Sequence, residues 1–157
     1  MPTDFARARG VAAIKRALDF LIDDSPDAIE PSTKSDAPVA AYNITVLAHL
    51  VATKWVPDLS DHVVMLEDVG EYLYRIDRAM FAIVNAQAMQ NVRGIMLGRI
   101  SDIPENDRLF GSSEEEIIRH WCAAAKFDYL GRADIGHDSD NKIVPFGRAG
   151  TSIKHTS

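Results

Sequence analysis

Four consecutive apolar residues, Val63-Val64-Met65-Leu66, run directly into Glu67-Asp68-Val69-Gly70-Glu71 and then into Ile76, Met80 and Ile83 at helical spacing. This order constrains the chain more than any other feature. A short run with β-branched residues and no polar alternation suits a strand buried on both faces, as in a parallel sheet. The helix that follows makes it a β-loop-α unit and sets the acidic residues at the strand's carboxyl end. In open α/β sheets that is the edge where ligands bind. Gly94-Ile95-Met96-Leu97-Gly98 repeats the design, with Ser101 to Gly111 as a polar loop and a helix carrying Ile117, Trp121 and Ala124. Ser113 and Glu116 are spaced as a capping box for that helix.

The rest of the chain fits around these units. Val11, Ile14, Leu18, Leu21 and Ile22 recur at helical spacing and predict an amphipathic helix from about Ala6 to Ile22. Asp23 to Pro38, with three prolines among polar residues, reads as a loop or linker and as the segment expected to be flexible. Asn43 can N-cap a second helix with Val46, Leu47, Leu50 and Val51 on its buried side, closed by Trp55 and Pro57. Tyr129-Leu130 and Ile143-Val144 are candidate short strands, Pro145 placing the latter at an edge or strand end. The tail after Gly150 is expected to fray. Together these predict an α/β domain with a largely parallel sheet.

Composition narrows the function classes. The 157 residues suffice for one sizeable core. A net charge of -6 argues against a broad nucleic-acid face, which needs clustered Lys and Arg. The single cysteine, Cys122, excludes an internal disulfide and a cysteine-built zinc site. Met1 to Arg7 contains no apolar signal core, and no apolar run approaches the roughly 20 residues of a membrane span. A soluble, cytoplasmic protein without membrane contact is expected. The P-loop, the dinucleotide glycine fingerprint and the G-x-S-x-G elbow are absent.

Two clusters could carry chemistry. One is Leu66-Glu67-Asp68-Val69-Gly70-Glu71 with Tyr74-Arg75-Ile76-Asp77-Arg78; the other is Asp134-Ile135-Gly136-His137-Asp138 with Asn141 to Gly147. A carboxylate held at a strand end can fix a histidine in one tautomer and stabilise its charged form. The same acids also read as a solvated loop, or as charges placed favourably near the next helix's N-terminus. Glu71 fits that helix role. Arg75 and Arg78 fit ion pairs with nearby acids, or contact with a substrate carboxylate. Asp102, Glu105, Asn106 and Asp107 lack EF-hand spacing and read as solvated surface. His120 and Cys122 flank Trp121 on different helix faces and read as structural, as do His49 and His62.

Asn43-Ile44-Thr45-Val46-Leu47-Ala48, Trp55-Val56-Pro57-Asp58, the Leu66 to Glu71 and Tyr74 to Arg78 blocks, Gly94 to Gly98 and Ile135-Gly136-His137 occur in the order and spacing of one family. From Asn43 to Gly147 the chain resembles the C-terminal domain of the serine LD-carboxypeptidases, or muramoyltetrapeptide carboxypeptidases, to which the microcin-C self-immunity peptidases are similar. The resemblance implies a three-layer ββα domain. It maps the family's charge-relay glutamate onto Glu67 and its histidine onto His137, within a Ser-Glu-His triad that needs no metal or cofactor. It implies hydrolysis of the amide before the terminal D-alanine of a muramoyl tetrapeptide in peptidoglycan recycling, and a homodimer.

No serine here has the context of the family's nucleophile, and Met1-Pro2 resembles a point near the junction of the family's two domains. The resemblance therefore implies a serine domain outside these residues, an isolated chain without activity, and an apolar face where that domain would pack. It divides the chain into a junction helix and linker (1–38), the LD-carboxypeptidase C-terminal domain (39–150) and a tail (151–157). Ala40-Ala41-Tyr42 stand where the family often has glycines. Two other functions remain open: a non-catalytic peptide-binding or assembly module that retains the fold, and an unrelated hydrolase using the Ser101 to Asp107 loop and a metal.

Overall fold

The computed structural model describes residues 8–23, 25–34 and 36–148. In chain order these form α1 (Ala8–Asp23), a 3-10 turn (Pro31–Lys34), β1 (Pro38–Asn43), α2 (Ile44–Leu50), β2 (Val63–Val69), α3 (Leu73–Asn85), a 3-10 turn (Gln87–Met89), β3 (Gly94–Ser101), α4 (Glu114–Ala125), β4 (Tyr129–Arg132) and β5 (Gly147–Arg148). One sheet runs β4-β3-β2-β1-β5. Its first four strands are parallel, and β5 pairs antiparallel with β1 at Pro38 and Val39 only. The fold is α/β with a largely parallel sheet, as expected.

Side-chain alternation on the central strands sorts the core into two clusters. Val64 and Leu66 of β2, with Ile95 and Leu97 of β3, meet Ile44 and Leu47 of α2, Ile76, Met80 and Ile83 of α3, and Ile118 and Cys122 of α4. Val63 and Met65, with Val39 and Met96, point the other way and are covered by Ala133, Ile135 and Val144. Each fully buried Leu, Ile or Met contributes roughly 1.5–3 kcal/mol. The helix face is therefore the thick side of the domain. The opposite face carries a thin cover in which Ile29 and Ile143 form an isolated parallel bridge.

Local signals explain most element ends. Ser113 and Glu116 form the expected capping box at the start of α4, and Lys126 ends that helix in the left-handed conformation (φ 63°). Asn43 caps α2 by accepting from the Val46 amide. Burial on α2 differs from the expectation: Ile44 and Leu47 face the core, and Val46 is 58% exposed. The helix is only two turns long, so its buried side is set by the strand that leads into it.

Three further features go beyond the sequence expectations. Pro38 to Tyr42 form a strand, although their alanines and proline carry little β signal. The 23–38 stretch is bound into the domain where it is described: Ala28, Glu30, Thr33 and Ala37 are buried. Glu30 accepts from the amides of Ser32 and Asp134, and its own amide donates to the Ile143 carbonyl. Ile143-Val144 supply a single bridge, the antiparallel strand lying at Gly147–Arg148 instead. The amphipathic helix is present, but Val11, Leu18, Leu21 and Ile22 remain exposed. Arg16 ties it to the domain by donating to the carbonyls of Ser139 and Asn141. The tail after Gly150 lies outside the described residues.

Candidate active site

Glu67 lies near the carboxyl end of β2 and shares the side-chain direction of Val63 and Met65, towards the thinly covered face. Across the sheet, Leu66 pairs with Leu97 but Asp68 pairs with Ile100, so β3 carries one extra residue opposite Glu67. Such a bulge re-aims side chains. Leu97 and Ile100 both pack on the helix side. Gly98 and Arg99, between them, both turn to the opposite side: a Cβ on Gly98 would lie 2.6 Å from Ile135 Cγ1 and 3.2 Å from Glu67 Cβ, and Arg99 bonds Asp134 and Asp138. Only a glycine at position 98 lets the 133–137 segment lie this close over the strand.

That segment carries His137. Its backbone is pinned to β3 by the Ala133 amide on the Leu97 carbonyl (2.9 Å) and the Arg99 amide on the Ile135 carbonyl (2.8 Å). The Gly136 amide donates to Asn141 Oδ1 (3.1 Å). Arg99 then holds the acids on both sides of the histidine. Its Nη1 meets Asp134 Oδ1 at 2.6 Å, while Nε and Nη2 meet Asp138 Oδ2 and Oδ1 at 2.6 and 3.0 Å. The bidentate fork holds the Asp138 carboxyl below its usual range.

The result is that Glu67 and His137, far apart in sequence, face one another. His137 Nδ1 lies 3.9 Å from Glu67 Oε2, with the histidine side chain 55% exposed and the glutamate 13%. This is ion-pair range and slightly long for a hydrogen bond. Glu67 Oε2 is buried and has no hydrogen-bond partner among the described residues. Desolvation pushes the Glu67 pKa up; His137 and Asn43 pull it down and the charges of Asp68 and Asp138 push it further up. A small closure towards the imidazole would satisfy the orphaned oxygen, as catalytic hydrogen bonds often tighten only once substrate is bound.

The raised pKa makes Glu67 a cost to folding. Its folded value lies above the ordinary 4.5, so the native state holds its proton more tightly than the unfolded chain, and stability falls as pH rises through the interval above 4.5. Glu67→Gln is therefore expected to melt at a higher temperature than wild type at pH 7. The difference should shrink as the pH is lowered through 4.5, which thermal unfolding at a series of pH values measures. A pH-independent difference would assign the effect to packing instead.

The pair opens onto a cavity of about 300 Å³ lined also by Ala41, Tyr42, Asn43, Gly136, Asn141, Lys142 and Phe146. Tyr42 and Phe146 form an aromatic wall, ring centroids 6.0 Å apart. None of the lining residues is a serine, threonine or cysteine. Asp68, the neighbour of Glu67, points to the other side and is 2% exposed. Its Oδ1 accepts from Asn43 Nδ2 (2.7 Å) and the Val69 amide (2.8 Å), and its Oδ2 from the Thr45 amide (3.0 Å) and Thr45 Oγ1 (2.9 Å). Asp68 is thus the brace that locks the carboxyl ends of β1 and β2 and the start of α2 into one unit.

Of the other weighed residues, His49, Glu71, Arg75 and Arg78 line a second cavity of about 410 Å³ on the helix side. Glu71 pairs with Arg75 at 3.5 Å, and Arg78 lies over the Tyr74 ring. Cys122 is buried, its thiol pushed up to about 11, and is inert at neutral pH. His120 packs edge-on against Trp121, whose indole N–H donates to Asp77. Among the described residues no group of three His, Cys, Asp or Glu converges to hold a metal ion, and no helix is long and apolar enough to cross a membrane. The sequence clusters omit Arg99 and include Asn141 and Asp68 without a role of their own. Only the acidic residues flanking His137 could have hinted at a cation between them.

Residues 37–151 match the LD-carboxypeptidase C-terminal domain. A Synechocystis sp. protein whose name places it among carboxypeptidases is 30% identical over 109 residues, 69% of this chain and 36% of that protein. The murein tetrapeptide carboxypeptidase of Pseudomonas aeruginosa is 27% identical over 107 residues, 68% of this chain and 34% of that one. The chain thus spans about a third of the length of these relatives. The crystal structure of the muramoyltetrapeptide carboxypeptidase from Oxalobacter formigenes superposes with a TM-score of 0.63 at 23% identity, over 71% of this chain and 39% of that one. With the microcin C7 self-immunity protein the TM-score is 0.59 at 16% identity, over 76% and 33%. Both show the same fold. With nearly the whole strand-and-helix core inside the matched span, the chain belongs to the LD-carboxypeptidase C-terminal domain family.

Proposed function

We propose that this chain supplies the glutamate and histidine of a serine-type LD-carboxypeptidase whose nucleophile comes from a domain outside these 157 residues. The observation that carries the reading is the Glu67–His137 pair, facing each other over an open cleft with no serine, threonine or cysteine in its lining. The names of the relatives support the substrate class, a murein tetrapeptide. The exposed apolar residues of α1 support a further packing partner.

In this reading Glu67 orients the imidazole through Nδ1 and stabilises the imidazolium, leaving Nε2 towards the cleft. A serine hydroxyl attacks the carbonyl that precedes the terminal D-alanine, and Nε2 accepts its proton. The imidazolium then protonates the departing D-alanine amine, and water releases the peptide from the ester intermediate by the same base. Oxyanion donors come with the serine. The reaction belongs to cytoplasmic recycling of peptidoglycan, carried out by a homodimer.

The test is to assay D-alanine release from muramoyl tetrapeptide by the chain alone and by the chain joined to a serine-bearing N-terminal domain of a relative. Activity only in the joined form is expected. Hydrolysis by the 157 residues alone would end the two-part reading. Tetrapeptide binding with no hydrolysis in either form would instead favour the non-catalytic module.

A further inference from the structure

Two carboxylates lie near His137, one facing its ring and one beside it in the chain. Glu67 reaches it across the sheet at 3.9 Å. Asp138 is its neighbour in the chain, on the same loop, and its Oδ2 lies against the backbone just before His137, 3.2 Å from where a Cβ on Gly136 would sit. A histidine beside two acids has two possible orienting partners for its ring. Among the described residues only Arg99 holds the Asp138 carboxylate with a cationic side chain, and it takes both oxygens, Nε on Oδ2 at 2.6 Å and Nη2 on Oδ1 at 3.0 Å. Lys142, the other cation at the cleft, is engaged elsewhere, its Nζ donating to the Asp27 carbonyl at 2.8 Å.

The position of Arg99 is itself built. Without the extra residue in β3, regular alternation from Leu97 would turn Arg99 to the helix side, away from Gly98. A Cβ on Gly136 would meet Arg99 Nε at 2.8 Å and Cβ at 3.1 Å, so the loop glycine makes the space that the guanidinium fills. Bulge, glycine and fork act as one arrangement.

We propose that Arg99 is a positioning residue that decides which acid holds His137: by sequestering Asp138 it leaves Glu67 as the orienting carboxylate. The inference rests on the reading of Glu67 and His137 as a relay pair. Planar bidentate recognition is specific to arginine, so lysine is a poor replacement.

The experiment uses the 157-residue chain and the ring nitrogens of His137, followed by long-range proton–nitrogen correlation spectra. The quantity read is the change in the His137 Nδ1 resonance caused by Glu67→Gln, a double-mutant cycle in spectroscopic form. Wild type is expected to show a clear response. Arg99→Met should lose at least about half of it as Asp138 takes the ring, and Arg99→Lys should fall between. Arg99→Met/Asp138→Asn should recover the wild-type response, because the competitor is gone. A merely structural staple predicts no such rescue. Full response in Arg99→Met, or no recovery in the double variant, overturns the proposal. Should Arg99→Met fail to fold, Arg99→Lys against Arg99→Lys/Asp138→Asn asks the same question. No substrate is involved, so an absence of D-alanine release in the joined form would count against the functional reading and leave this result standing or falling by itself.

Discussion

Once the chain is joined to a serine-bearing domain, replacing His137 by alanine is expected to lower kcat for D-alanine release by about 10³-fold or more, with KM little changed. The reason is proton inventory. A serine hydroxyl is a poor nucleophile until a base takes its proton, and no other described side chain lining the cleft is an imidazole. Water can accept the proton only slowly, and what survives is the contribution of binding and of the oxyanion donors. Glu67→Gln is expected to cost about 10²–10⁴-fold, because the imidazole remains but loses its orientation and the charge opposite its protonated form. Steady-state kinetics on the two variants checks both statements. More than a tenth of wild-type kcat in His137→Ala would remove it from proton transfer.

The second large effect falls on stability. Asp68→Ala should destabilise the domain by about 3–5 kcal/mol, measured by urea unfolding followed by circular dichroism. Four donors lose their acceptor at once: Asn43 Nδ2, the Thr45 amide and hydroxyl, and the Val69 amide. Solvent cannot replace the carboxylate, which is 2% exposed. A small domain has only about 5–15 kcal/mol of net stability, so the loss is a large fraction of the whole. Asp68→Asn keeps the shape but turns an amide donor towards groups that themselves donate, and is expected to lie between wild type and alanine. A loss below about 1 kcal/mol in Asp68→Ala would mean that the donors find water after all.

The sequence made the two β-loop-α units legible because their apolar runs are continuous and the helical residues after them are in register. The α4 capping box was equally legible, since its signal is local. Glu67 and His137 could be paired only through the family pattern, because nothing in their spacing says that two distant loops meet. β1 was missed for a physical reason: Pro38, Ala40 and Ala41 acquire extended structure from pairing with β2, which is a tertiary effect. Arg99 was hidden more deeply. Regular alternation from Leu97 assigns it to the helix side, and only the bulge, invisible in residue types, turns it over. Glu30 was likewise obscured by the prolines and polar residues around it, which signal a loop but not what the loop binds.

The unequal covering of the two sheet faces has a consequence for motion. On the helix side, exposing a β2 or β3 amide requires lifting helices that share a continuous core. On the other side, residues 133–146 lie over a much smaller apolar cluster and are held mainly by hydrogen bonds and the Arg99 fork. Segments with few buried contacts open locally at a small fraction of the global unfolding free energy. The histidine loop can therefore exchange its amide protons and adjust its position while the central strands stay closed, which places the most adjustable piece of the domain directly beside its most rigid one.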